Sequence, residues 1–119
     1  MKRYVVLIAY GRSEWEGADE ETRDYYFRAH AAFSAYVGEH GTEHGSAALA
    51  DPEHATTVRR VGRARDGDAV VTEGPFAETA EQVGGYYDVE LPDLDHAITA
   101  AGLLPAAYTV EIRPTITIT

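Results

Sequence analysis

The chain has 119 residues, 20 acidic residues against 10 Lys and Arg, a net charge of −10 and no cysteine. That length fits one domain, and 45% hydrophobic with 25% charged residues excludes a disordered, collagen-like or coiled-coil chain. Without thiols there is no disulfide, Cys-ligated zinc, iron–sulfur cluster or thiol nucleophile. The acidic balance argues against nucleic acid, because displacing phosphate counterions takes cations.

The apolar run from Tyr4 to Tyr10 is too short for a membrane span, which takes ~20 residues. No small-residue cleavage site follows it; Arg12, Glu14 and Glu16 come next. The expectation is a cytoplasmic protein with no membrane contact, in which residues 3–10 form a buried strand. Val5, Leu7 and Ala9 share one face and Val6, Ile8 and Tyr10 the other. Two apolar faces predict a central strand covered on both sides.

Residues 11–18 read as a loop carrying the single Trp15. Asp19 is a predicted N-cap, with Glu20 and Glu21 in the first turn of a helix that runs to about Val37. Tyr26, Ala29, Phe33, Tyr36 and Val37 make its buried stripe, and Gly38 and Gly41 end it. Residues 44–50 read as extended, Asp51-Pro52-Glu53 as a turn, and 56–61 and 69–72 as strands joined by a hairpin turn at Asp66-Gly67. A loop, 73–79, precedes Gly84-Gly85. An alternating strand follows, with Tyr87, Val89 and Leu91 on one face and Tyr86, Asp88 and Glu90 on the other.

Pro92 and Asp93 open a second helix over about 94–101, which Gly102 and Pro105 stop. The last strand is 108–113, with Val110 and Ile112 inward. The 115–119 tail has high β propensity and no assigned partner.

The order β-α-β-β-β-β-α-β predicts an α+β sandwich on the ferredoxin-like βαββαβ plan, with extra hairpin strands in the middle. Two helices cover one sheet face only. The other face is then covered by a second copy of the chain, giving a homodimer, or by the chain's own loops.

The stretch VTEGPFAETAEQVGGYYDV, residues 71–89, resembles the signature of YCII-related proteins of the DGPF type. Gly74, Pro75, Phe76, Ala77, Glu78, Thr79, Gly84, Gly85 and Tyr86 match it, while Glu73 stands where that pattern has Asp. The likeness extends to the opening strand, the aromatic first helix, Thr57-Val58-Arg59, Asp93-Leu94-Asp95 and the closing Val110-Glu111-Ile112-Arg113-Pro114. It implies a dimeric α+β barrel with a small-molecule cleft between the subunits. It also implies either cofactor-free acid–base chemistry of an isomerase or lyase kind, or a non-catalytic ligand-binding or regulatory module associated with an extracytoplasmic-function sigma factor. The implied partner is a small organic acid or an aromatic ligand, and no cofactor or metal is expected.

His30 matches the histidine of that resemblance. At ~100° per residue it lies within about 60° of Tyr26, Phe33 and Val37, at the edge of the buried stripe. An imidazole there suits proton transfer near neutrality; it also suits a structural bond to a backbone carbonyl or hydroxyl. Glu73 and Glu78 flank a turn made stiff by Pro75. Glu73 is the candidate carboxylate for orienting His30, the other reading being a motif kept for its turn and its Phe76 anchor. Glu78, Phe76, Tyr26 and Tyr87 are candidate ligand contacts, core packing being the alternative for the tyrosines. Gly84-Gly85 lacks the company of a phosphate loop and reads as a bulge or close-packing site. His40, Glu43 and His44 lack the helical spacing of a two-histidine metal site and read as a solvated loop. The arginines at 59, 60, 63 and 65 read as a solvated strand face.

Overall fold

Alternation of apolar residues along β1 (Lys2–Tyr10) buries Tyr4, Val6 and Ile8 against two helices. A computed structural model describes residues 1–11, 15–62 and 67–119. The expected turn residue Asp66, together with Arg63 and Arg65, lies outside the described residues.

Helix α1 (Glu20–His40) starts where Asp19, in extended backbone, accepts a hydrogen bond from the Thr22 amide at 2.8 Å. It runs past Gly38 to Gly41, whose amide bonds the Val37 carbonyl. Tyr26, Ala29, Phe33 and Val37 are buried as the spacing predicts, and Tyr36 is half-buried. β2 (Thr42–Ala48) follows, then a short 3-10 turn (Pro52–His54), β3 (Thr56–Arg60), β4 (Ala69–Glu73) and β5 (Gln82–Leu91). α2 (Leu94–Ala101) is capped by Asp93 through the His96 amide, and β6 (Thr109–Pro114) closes the fold.

The main sheet has the order β2-β5-β1-β6, every neighbouring pair antiparallel. This is the ferredoxin-like arrangement, with β3 and β4 inserted between β2 and β5 as a separate hairpin. Both helices lie on one face. Phe33, Val37, Val6, Val89 and Leu91 are sealed completely, each side chain of this kind contributing roughly 1.5–3 kcal/mol by leaving water.

The opposite face is open. Val5, Leu7 and Ala9 are half-buried, and Val83 and Tyr86 are exposed. Arg3 spans this face with a bidentate pair to Asp88, both contacts 2.9 Å.

Two expected strand boundaries are corrected, while the expected bulge at Gly84-Gly85 is present. Gly84 and Gly85 lie inside β5, which begins at Gln82. The shift in register between Ile8 and Ala9 leaves Gly84 as the extra residue of a bulge, so the ladder continues through the glycines. Glu73 ends β4 rather than starting a loop. The 115–119 tail, to which the sequence assigned no partner, adds no strand, and its Thr115 amide bonds the Arg3 carbonyl. Among the described residues no helix is long and apolar enough to cross a membrane.

Candidate functional site

His30 sits on α1 where the helix passes the open end of the main sheet. Its Nδ1 lies 2.6 Å from the Tyr87 phenol oxygen and its Nε2 2.9 Å from that of Tyr108. A neutral imidazole offers one donor and one acceptor. It therefore donates to one phenol and accepts from the other, and both nitrogens are satisfied. Burial lowers the His30 pKa from its ordinary value, so the ring is neutral at neutral pH. Burial likewise raises the Tyr87 phenol; the Glu43 carboxylate adds to the rise and the Ser34 hydroxyl opposes it. Tyr108 is pushed far above the usual phenol range by burial, with Tyr10, Tyr26 and Tyr87 adding to it. All three groups are held uncharged.

The polar contacts continue behind Tyr87. Ser34 donates to Glu43 Oε1 at 2.8 Å. The aromatic contacts continue on the other side, where Tyr108 stacks on Tyr10 at 5.2 Å between centroids and meets Tyr26 edge-on at 5.7 Å.

These rings border two clefts that share Tyr10, Phe27, His30, Ala48 and Tyr108. The first, about 350 Å³, lies between α1, the end of β2 and the start of β5, and none of its lining residues is an acid, a lysine or an arginine. The second, about 540 Å³, extends under Trp15 and Tyr26 to Asp51 and His54. Two further hollows, about 300 and 600 Å³, lie along the 74–83 segment.

The sequence-predicted site residues fall into two groups. His30, Tyr26 and Tyr87 gather at the first two clefts. Glu73, Phe76 and Glu78 belong to the inserted hairpin and the segment after it. Glu73 is exposed and lines neither His30 cleft. Glu78 borders the 300 Å³ hollow and Phe76 the 600 Å³ one. Phe76 is 80% exposed, so within one protomer it anchors nothing.

The signature's other residues build the turn. Gly74 sits at φ +96°, a conformation that favours glycine. Its amide reaches the Ala55 carbonyl at 2.7 Å, and its carbonyl accepts from Thr57 Oγ1 at 2.7 Å. The Gln82 amide ties the carbonyls of Ala77 and Thr79 at 2.9 and 3.3 Å.

Sequence reasoning missed Tyr108, Tyr10, Ser34 and Glu43. Ser34 carried a signal, lying four residues after His30 on the same helix face. Tyr10 and Tyr108 are distant in sequence and meet through the β1–β6 pairing. The expected solvated loop at His40, Glu43 and His44 is instead the end of α1 and the start of β2, with His44 Nε2 at 3.0 Å from Glu90 Oε1. Among the described residues no group of three or more metal-ligating side chains comes together.

Two comparisons with known proteins bear on this arrangement. An uncharacterised protein of Rhizobium meliloti (strain 1021) is 38% identical over 63 residues, which is 50% of this chain and 51% of that relative. The match thus spans about half the length of that curated relative. The model of the YCII-related domain matches residues 3–117, nearly the full length, and on that coverage the chain belongs to the YCII-related family.

Proposed function

We propose that the cleft at His30 binds a small, uncharged ligand with a flat aromatic body and a hydroxyl group. The observation that carries this reading is a neutral imidazole held between two phenols in a cleft with no charged lining residue. Of the two ligand classes implied by the sequence, the aromatic one fits better. A carboxylate ligand would be desolvated there without a cationic partner, at a cost of several kcal/mol.

The chemistry follows from the same contacts. A ligand hydroxyl that replaces the Tyr108 phenol at Nε2 gives its proton to the imidazole, and the imidazolium returns it to another atom of the same ligand. The net change is an isomerisation that uses no oxidant and no cofactor. Glu73, the expected orienting carboxylate, has no part in this scheme. Tyr87 takes the orienting position instead.

A second reading, binding without turnover, is supported by the partners of the two ring nitrogens, both of them phenols. The imidazolium would then lack an adjacent counter-charge. Calorimetric titration with neutral phenols and with benzoate tests the binding claim. Phenols are expected to bind, benzoate to bind at least ~10-fold more weakly, and His30→Ala, which removes the partner of the ligand hydroxyl, to weaken phenol binding at least ~10-fold. Equal binding of both classes overturns it. Proton–deuterium exchange into a bound phenol, followed by NMR, separates turnover from mere binding.

We also propose that the open face of the main sheet pairs with a second copy of the chain. Val83 and Tyr86 are exposed beside half-buried Val5, Leu7 and Ala9, an apolar surface of the kind that isologous dimers cover. Sedimentation velocity at micromolar concentration tests it, and a species at the 13.0 kDa chain mass would refute it.

A further inference from the structure

The second cleft at His30, about 540 Å³, is walled by rings from four parts of the chain. Phe27 meets Trp15 edge-on at 5.8 Å between centroids, and Trp15 tilts against Tyr26 at 5.5 Å. Tyr26 meets Tyr108 edge-on, and Tyr108 stacks on Tyr10. The turn before α1, the helix itself, the end of β1 and the residue before β6 thus supply one continuous aromatic wall. Phe27 is 64% exposed, so its ring serves the rim of the cleft more than the protein's own core.

Charge decides what such a wall receives. Asp51 is the one carboxylate among the described residues that line this cleft, and no lysine or arginine lines it. Asp51 is exposed and stands in front of the short 3-10 turn, yet its side chain makes no capping bond to it. The carboxylate is therefore not committed to the turn. The face of an aromatic ring carries partial negative charge and attracts cations. One ring of the wall already does so: the Arg23 guanidinium, from outside the lining, sits 5.2 Å from the centroid of Trp15. The net charge of −10 adds attraction for cations at longer range and repels anions.

We propose that this cleft is a binding site for an organic ammonium ion, the rings receiving its apolar part and Asp51 its charge. Hard divalent cations do not fit, because calcium and magnesium need several oxygen ligands, which one carboxylate beside aromatic rings does not supply. The site goes beyond the phenol reading. The neutral ligand belongs to the first cleft, which no acid lines, and the ammonium ion to the second, which Asp51 lines.

The test is calorimetric titration of the full chain with phenethylammonium, its neutral isostere 2-phenylethanol and the anion phenylacetate. Titration at about pH 8 is above the ordinary histidine range, and about 0.15 M sodium chloride screens attraction to the surface at large. Trp15 is the single tryptophan, so its fluorescence reports occupancy of this cleft. Phenethylammonium is expected to bind at least ~10-fold more tightly than the alcohol, with phenylacetate weaker still, and to change the Trp15 emission. Asp51→Asn and Phe27→Leu, both at exposed positions and checked for folding by circular dichroism, are each expected to cut the ammonium affinity at least ~3-fold. Asp51→Asn is expected to leave the alcohol within about twofold, because the alcohol has no charge to lose a partner.

Equal affinity for the ammonium ion and the alcohol, or binding of neither, overturns the proposal. So does an ammonium preference that survives both substitutions or leaves the Trp15 emission unchanged, since the cation then sits elsewhere on the acidic surface. Phenols that bind to a chain with no ammonium preference leave the first-cleft reading standing and overturn this one. An Asp51-dependent ammonium preference in a chain that binds no phenol does the reverse.

Discussion

His30 and Tyr87, 57 positions apart in sequence, are joined by a 2.6 Å contact between Nδ1 and the phenol oxygen. It links helix to sheet at the candidate site, with Tyr87 buried in the core cluster and His30 half-buried. Tyr87→Phe keeps the ring and removes the oxygen, leaving one imidazole nitrogen without its partner. Partial solvent access softens that loss, so a destabilisation of about 1–2 kcal/mol is expected in urea titration. The His30 ring is expected to shift its tautomer balance in nitrogen-detected NMR. A variant with unchanged stability and tautomer would show that the contact positions nothing.

Burial holds the His30 pKa below its ordinary value. Above about pH 6.5, the unfolded-chain value for histidine, folded and unfolded forms are both neutral and the contribution is whole. As pH drops below that value, the unfolded chain takes up a proton that the fold refuses, and stability declines until the folded-state pKa is passed. The depressed carboxyls act in a lower window. Asp19 is held down by Thr22, Asp88 by Arg3 and Asp93 by His96, so their contributions persist above about pH 4 and are lost in stronger acid. Melting temperatures between pH 7.5 and 5 are therefore expected to fall less steeply in His30→Gln than in wild type. Equal slopes would show that His30 does not drive the decline.

Much of the architecture was legible because local chemistry and global fold agree. Asp19 reads as a cap because a carboxylate before Glu20 and Glu21 has one good use, and the Thr22 amide is where it goes. The stripe of Tyr26, Ala29, Phe33 and Val37 follows from the helical period alone. The candidate site was half legible. His30 stood out by its place on the helix, but its partners come from β5 and the residue before β6, and side chains brought together by sheet pairing leave no spacing to read. Glu73, exposed at the end of β4, lines neither His30 cleft. The 74–79 motif looks like a site because it is rich in special residues, while its glycine, threonine and glutamine bonds serve the turn.

The cap itself gives a quantitative check. Asp19→Ala removes the acceptor at 2.8 Å from the Thr22 amide, and loss of such a cap costs roughly 1 kcal/mol. Asp19→Asn keeps a competent acceptor without the charge and is expected to recover most of that loss in thermal or urea unfolding. Recovery separates the hydrogen bond from the helix-dipole attraction, which only the charged form provides.

Two glycine-to-alanine changes are expected to move stability in opposite directions. Gly38 lies inside α1 with open space around the position of an added Cβ, so alanine there gains helix propensity and is expected to stabilise by about 0.5–1 kcal/mol. Gly84 is the bulged residue of β5, and a Cβ on it would overlap the Tyr10 phenol ring. That ring has packed neighbours and cannot yield freely, because it stacks on Tyr108 and borders both His30 clefts. Gly84→Ala is expected to cost about 1–3 kcal/mol, as overpacked positions do, and to weaken phenol binding by displacing the Tyr10 wall that both His30 clefts share. Paired urea titrations measure the first effect and calorimetry the second. If Gly84→Ala were as stable as wild type, Tyr10 would have room to move and would not define the wall of the cleft.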